Sequence, residues 1–201
     1  MNFLAHIYLS GNDDLLKIGN FMADSIKGKK YQKYSPSVQN GIILHRAIDY
    51  YTDTHPIVKE STQRLFPTYG HYSGIIIDIF YDHFLAANWN KYSNIPLKTY
   101  TLDFYTLLKE NYDLLPLKVQ GFLPYMINDN WLYSYSHLEG IEKVLQGMNR
   151  RTGKKSDMHL AIAELKQHYE KFEDEFERFF EELVSFSKTK IEELTSNKKT
   201  D

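Results

Sequence analysis

The chain has 201 residues, of which 42% are hydrophobic and 15% aromatic, and 24 Lys and Arg against 26 Asp and Glu give a formal net charge of −2. That is enough apolar mass for one buried core and too much for a disordered chain. The absence of cysteine excludes disulfides, thiolate nucleophiles and iron–sulfur clusters, and the charge balance argues against a nucleic-acid-binding surface.

The spacing of apolar residues predicts helices almost throughout. Asn12 or Asp13 can cap a first helix that reaches the region of Ile26. Gly28 marks a turn, and Pro36, after Ser35, suits the first turn of the next helix, which carries Val38 to Asp49. Pro56 starts another. A helix over Tyr72–Asn88 is apolar nearly all round, so it belongs at the centre of the fold. Its β-branched run, Ile75-Ile76-Ile77, would also suit a buried strand, but the continuation through Asp82 to Ala87 favours helix. Pro96, Pro116 and Pro124 suggest boundaries or a bend around helices at Leu97–Asn111 and Leu117–Asn128. Gly140 to Met148 is a further helix. From Met158 onward, Leu165, Tyr169, Phe172, Phe176, Phe179, Phe180 and Leu183 form a stripe at helical spacing, as expected of a long amphipathic helix lying on the body. The fold expected is all-α, a single compact helical domain over residues 1–186 followed by a polar, mobile tail over 187–201. No apolar run is long enough to span a membrane, and the first residues lack a secretory pattern, so a cytoplasmic protein without membrane partners is expected.

Polar residues inside these apolar helices are the functional signal. His45 and Asp49 are four apart and share a helical face, and imidazole with carboxylate suits a borderline divalent metal. Asp53, one turn further on, can hold His45 or Arg46, or cap the helix at Pro56. Asp78 and Asp82 also share a face, within the most apolar helix, while His83 points roughly 100° away. Buried carboxylates without partners are costly, and a metal or an arginine such as Arg46 or Arg64 can compensate them. Asp24 ends an apolar stretch, where it can cap a turn or serve as a ligand. His6 lies in the apolar segment Phe3–Leu9, as a core histidine or a ligand. No phosphate-binding glycine loop, HExxH or nucleophile elbow is present. The remaining set of Asp, His and Arg fits hydrolysis of a phosphate ester by metal-activated water, with Arg or Lys neutralising the phosphate. Two basic stretches, Lys27, Lys29, Lys30 with Lys33, and Arg150, Arg151, Lys154 with Lys155, are either solvated loop lysines and arginines or a patch for an acidic partner.

Several ordered stretches carry a resemblance. Asn2-Phe3-Leu4-Ala5-His6, Gly19-Asn20-Phe21-Met22-Ala23-Asp24, His45-Arg46-Ala47-Ile48-Asp49, Thr52-Asp53-Thr54-His55-Pro56, Asp82-His83-Phe84-Leu85 and Gly147-Met148-Asn149-Arg150-Arg151 together resemble the bacterial acyl-carrier-protein phosphodiesterase family, also called holo-acyl-carrier-protein hydrolase. The resemblance implies an all-helical protein distantly similar to HD-type metal-dependent phosphohydrolases. It implies hydrolysis of holo-acyl carrier protein to 4'-phosphopantetheine and apo-acyl carrier protein, with Mn2+ as the preferred ion. The chain departs from the enterobacterial pattern at Tyr81, where tryptophan is familiar, and at Asn149. Asp82-His83 also reverses the usual HD order, so that motif does not transfer directly.

On this reading the expected metal ligands are His6, Asp24, His45 and Asp82. Asp49 is expected in the inner shell or just behind it with a catalytic role, and Asp53 and Asp78 behind the ligands. Arg46 is expected to clamp the phosphate and His83 to act as an acid. Lys27, Lys29, Lys30, Lys33, Arg150, Arg151, Lys154 and Lys155 are expected to meet the carrier protein. The alternatives are an HD-like phosphohydrolase of nucleotides or other small molecules, and a noncatalytic module that binds acyl carrier protein.

Overall fold

The computed structural model describes residues 1–196, and the chain enters a helix almost at once. This helix, α1 (Phe3–Leu9), precedes the first one that the sequence announces. Its start signal is not local: Asn2 makes no side-chain cap, and the amides of Leu4 and Ala5 donate instead to the Asp82 carboxylate at 2.8 and 3.2 Å. Next comes α2 (Asp14–Met22), capped as expected by Asp13, which accepts from the Leu16 amide. Short 3₁₀ segments at Ala23–Ser25 and Gly28–Lys33 lead to α3 (Pro36–Thr54), with Pro36 in its first turn, and α4 (Pro56–Tyr69) follows immediately.

The central helix is α5 (Ser73–Ala87), and the Ile75–Ile77 run is helical within it. Ile76, Ile77, Phe80 and Phe84 are all fully buried within this helix, as expected of one that is apolar nearly all round. Then come α6 (Leu97–Glu110), α7 (Leu117–Asn128), α8 (Trp131–Ser134) and α9 (Leu138–Arg151), with Pro96 and Pro116 just ahead of α6 and α7. Beyond a 3₁₀ turn at Met158–Leu160, the expected single C-terminal helix is two: α10 (Ala161–Gln167) and α11 (Tyr169–Ser196), broken at His168. The break has a packing reason. It lets α10 lie on α9 while α11 runs across α3, α4 and α5.

The aromatic stripe of α11 is the expected one, with Phe172, Phe176, Phe179, Phe180 and Leu183 fully buried. The helix does not end near residue 186. Ser187 is buried, Ile191 and Leu194 pack on the core, and Asn40 donates to the Leu194 carbonyl at 3.1 Å. Of the expected tail, residues 187–196 are helical and 197–201 lie outside the described residues.

Two features hold the site's elements in place. Helices α2 and α3 cross at Gly19 and Gly41, where a Cβ on either would overlap a carbonyl oxygen of the other helix, Val38 or Leu16. That contact brings Asn20 and Asp24 up to His45. On the far side of the core, Tyr81 joins a buried network: its hydroxyl lies 2.8 Å from Ser61 Oγ, Ser61 donates to Glu175, and Arg64 pairs with the same carboxylate. Arg64 is thus committed to Glu175 rather than to Asp78 or Asp82. The Tyr81 departure is absorbed by a polar staple between α4, α5 and α11.

Candidate metal centre

His6 on α1 and His45 on α3 stack face to face, with ring centroids 4.0 Å apart. Asp49, one turn beyond His45, reaches both: Oδ1 lies 3.2 Å from His6 Nε2 and Oδ2 lies 3.1 Å from His45 Nε2. Asp24, in the 3₁₀ turn after α2, places Oδ1 3.2 Å from the same His45 nitrogen. One donor atom from each of His6, His45 and Asp49 falls within 4.8 Å of the others, a spacing that one cation can bridge. The two imidazoles are buried, while Asp49 and especially Asp24 face the solvent side.

Asn20 sets the tautomer of His45. Its amide nitrogen donates to the His6 carbonyl and to Ser10 Oγ, each at 2.9 Å, so its oxygen is the atom 3.1 Å from His45 Nδ1. Nδ1 therefore carries a proton and donates it. When the ring is neutral, the Nε2 lone pair points at the two carboxylates.

The electrostatics divide the pair. Burial, with His45 next to it, drives the His6 imidazole down to about 4, so it is neutral at ordinary pH. Burial alone would lower His45 too, but hydrogen bonds and charge from Asp24 and Asp49 hold it up to about 9. Burial works against ionisation of Asp49, yet the two histidines hold its carboxyl well below the usual range; the His45 hydrogen bond does the same for Asp24. Two anionic carboxylates thus face two imidazoles, one of them protonated. His6 is close to Asp49 but not aligned for hydrogen bonding, and neither of its buried ring nitrogens has a hydrogen-bond partner among the described residues. An orphaned imidazole nitrogen facing a carboxylate and a second imidazole fits a divalent cation, which would satisfy all of them at once.

The other residues singled out in the sequence lie elsewhere. Asp82 does not join the cluster: it is fully buried, and its oxygens take the amides at the start of α1. Burial pushes its carboxyl up to about 7 against those two hydrogen bonds. Asp78 receives the Met1 ammonium at 2.8 Å. Asp53 is exposed at the end of α3. His83 is held between the Tyr135 carbonyl at 2.8 Å and the Tyr169 hydroxyl at 3.1 Å. Arg46 is exposed, donates from Nη2 to the Ile26 and Gly28 carbonyls, and lies over the Tyr31 ring at 5.1 Å. It thereby ties down the segment that displays Lys27, Lys29, Lys30 and Lys33, all exposed. Arg150 and Arg151 end α9, with Lys154 and Lys155 exposed in the loop beyond. Asn149 anchors that loop by accepting from Ser156 Oγ at 3.0 Å and pairing with His159 at 2.9 Å.

A cleft of about 910 Å3 opens beside the cluster, with Asp24 on its wall together with Phe3 of α1 and residues of α5, α8 and α9. Trp131 and Tyr133 of α8 and Lys143 and Val144 of α9 lie outside every stretch that carries the resemblance, and Asn20, though inside one, has no role assigned to it by the sequence. Only an asparagine buried at the end of an apolar helix hints at the latter.

The family described as acyl carrier protein phosphodiesterase matches residues 1–183. Similar proteins of that name include one from Yersinia enterocolitica, 33% identical over 94% of this chain and 99% of its own length. One from Photorhabdus laumondii is 33% identical over 94% and 96%, and one from Pectobacterium atrosepticum 32% identical over 94% and 98%. No solved structure matches the chain. With the family matched over nearly the whole helical body, the chain belongs to the acyl carrier protein phosphodiesterase family.

Proposed function

We propose that this protein hydrolyses the phosphodiester of holo-acyl carrier protein, using a divalent metal, and releases 4'-phosphopantetheine and apo-acyl carrier protein. The observation that carries the reading is the buried His6–His45–Asp49 cluster with its unpartnered His6 nitrogens, in a chain whose relatives are named for that substrate. Histidine and aspartate donors gathered from separate helices of an all-α domain support the kinship with HD-type phosphohydrolases. The mixed nitrogen and oxygen set suits Mn2+.

His6, His45 and Asp49 hold the ion, and Asp24 completes the set from the solvent side. When bound, the ion supplies positive charge for the phosphoryl oxygens and makes a water acidic enough to attack phosphorus at neutral pH. The chain does the rest. Asn20 fixes which nitrogen His45 presents, and the carboxylates of Asp24 and Asp49 orient that ring. Arg46 holds the lysine-bearing segment next to Asp24 through one nitrogen and offers its remaining N–H groups to a phosphate. In this reading Asp82 and Asp78 support the site by gripping the start of α1, and His83 supports it by joining α5 to α11.

Intact-protein mass analysis of holo carrier, incubated with enzyme and Mn2+, Mg2+, Co2+ or Zn2+, tests the proposal. The carrier should lose the mass of the phosphopantetheine arm with Mn2+. Asp49→Ala and His45→Ala, verified as folded, should lower the rate by more than about 100-fold. A folded enzyme that releases no arm with any of the four ions would overturn the activity. Release that persists after chelation, and in both variants, would overturn the metal mechanism.

A further inference from the structure

The cleft beside the cluster contains a glycine that the fold does not need. Helix α9 carries two glycines on the cleft wall, Gly140 and Gly147, seven residues apart and so on one helical face. Gly140 has a packing reason: a Cβ there would overlap the Ser134 carbonyl oxygen of α8. Gly147 has none. A Cβ at Gly147 would meet only the end of the Arg150 side chain, at 3.8 Å, and its backbone lies within the helix, where glycine is a poor helix former. What sets Gly147 apart from Gly74 and Gly121, which also lack close neighbours, is its place on the cleft wall, where the missing side chain leaves the space in front of α9 open.

The walls of that space are of two kinds. Trp131 and Tyr133 of α8, with Val144 and Met148 of α9, give apolar and aromatic surface. Lys143, Arg150 and Arg151 on the same wall make no ion pair with a carboxylate among the described residues. Of the acidic residues on the walls, Asp24 belongs to the metal cluster and Asp78 is neutralised by the Met1 ammonium. Asp129 is exposed and accepts from the neighbouring Asn128 side-chain amide, so Lys143, Arg150 and Arg151 still outweigh it and the α9 side retains a cationic excess. The cleft's volume of about 910 Å3 is that of a small-molecule site. It therefore suits a long, mostly uncharged chain with one anionic end, whose scissile group lies by Asp24.

We propose that this cleft receives the pantetheine arm of the substrate, with Gly147 as the residue that admits it and Trp131 as the surface against which it lies. The carrier protein stays outside, on the Lys27–Lys33 side of Asp24. This inference rests on the phosphodiesterase reading of the metal cluster and adds the side on which each half of the diester sits. Seating the arm inside and the protein outside explains how one site can grip a flexible prosthetic group without enclosing its carrier.

Gly147→Leu tests it, since leucine fills the opening and is the better helix former, so the fold should survive. Calorimetry with free 4'-phosphopantetheine should show binding to the wild-type protein. In Gly147→Leu that binding should be at least tenfold weaker, with Mn2+ affinity by electron paramagnetic resonance unchanged. Trp131→Ala, the second variant, should weaken the ligand similarly and raise KM for holo carrier with kcat within about twofold. No binding of 4'-phosphopantetheine to the wild-type protein, or wild-type affinity in both variants, overturns the assignment. Cleavage of holo carrier by wild type and by both variants at equal KM overturns the cleft alone and leaves the activity standing. Arm binding that both variants weaken, with no cleavage by wild type under any metal, supports the cleft and refutes the activity.

Discussion

At the scale of single residues, the protonation of His45 links the site to stability. Its folded value of about 9, held up by Asp24 and Asp49 against burial, exceeds the 6.5 of a free imidazole, so the folded state binds the extra proton. The stabilisation is complete below about pH 6.5 and is lost as pH rises through 9. Metal-free protein should therefore melt at progressively lower temperature from pH 6.5 to 9, and His45→Gln should flatten that part of the profile in thermal scans under chelation. A metal requires the neutral ring, so binding near pH 7.5 should release a proton from His45, and none from His6, which burial already keeps neutral. Titration calorimetry in buffers of different ionisation enthalpy reads that proton. An equal pH slope in wild type and His45→Gln would remove the Asp24–His45–Asp49 network from the account.

At the scale of elements, α1 is seven residues long, too short to persist alone, and it carries His6, one of the proposed ligands. Its stability is borrowed from α5: Asp82 takes the Leu4 and Ala5 amides, and Asp78 the Met1 ammonium, from positions one turn apart. Asp82→Ala leaves two buried amides without acceptors, which costs about 2 kcal/mol. It should also loosen His6. The expected result is a lower melting temperature together with weaker Mn2+ binding. Asp82→Asn, which keeps one acceptor oxygen, should recover part of both. If Asp82→Ala lowers stability but leaves Mn2+ affinity untouched, the coupling of α5 to His6 through α1 is wrong. The α2–α3 crossing does comparable work on the other flank, where Gly19 and Gly41 permit the approach that sets Asn20 against His45.

At the scale of the whole molecule, the net charge of −2 hides an uneven surface. Lys27, Lys29, Lys30 and Lys33 are exposed on one short segment tied down by Arg46, next to Asp24. An acidic carrier protein would be drawn there over a range of about 10 Å at 0.1 M salt. Exposed charges contribute weakly one by one, about 0.2–1 kcal/mol each. Reversing three of them, as in a Lys27→Glu, Lys29→Glu, Lys30→Glu variant, should raise KM for holo carrier about tenfold at low salt. The difference should shrink towards parity at 0.5 M salt while kcat is kept. A KM equal to wild type at every salt concentration would return these lysines to the role of ordinary solvated charge.

Periodicity and punctuation in the sequence determined most of the helices, because caps and prolines such as Asp13, Pro36, Pro56 and Pro116 act on their own neighbours, and the aromatic stripe from Phe172 to Leu183 repeats at the helical period. The same locality made His45 and Asp49 legible as a pair, since four residues along one helix bring two side chains together whatever the rest of the chain does. Tertiary structure decided what depended on contacts between distant segments. Helix α1 is started by a carboxylate from α5, so nothing near Phe3 announces it. Asp82 resembles a ligand in sequence because it is a buried carboxylate, yet the compensation it receives comes from backbone amides. The C-terminal stripe gives no sign of the bend at His168, which serves packing on α9. Asp24 and Asn20 meet His45 because two glycines let α2 and α3 touch, His6 reaches it from an α1 held by α5, and Gly147 becomes informative only when the space before it is seen to be open. Sequence carries the interactions that a residue has with its own helix; the fold alone supplies the partners that arrive from elsewhere.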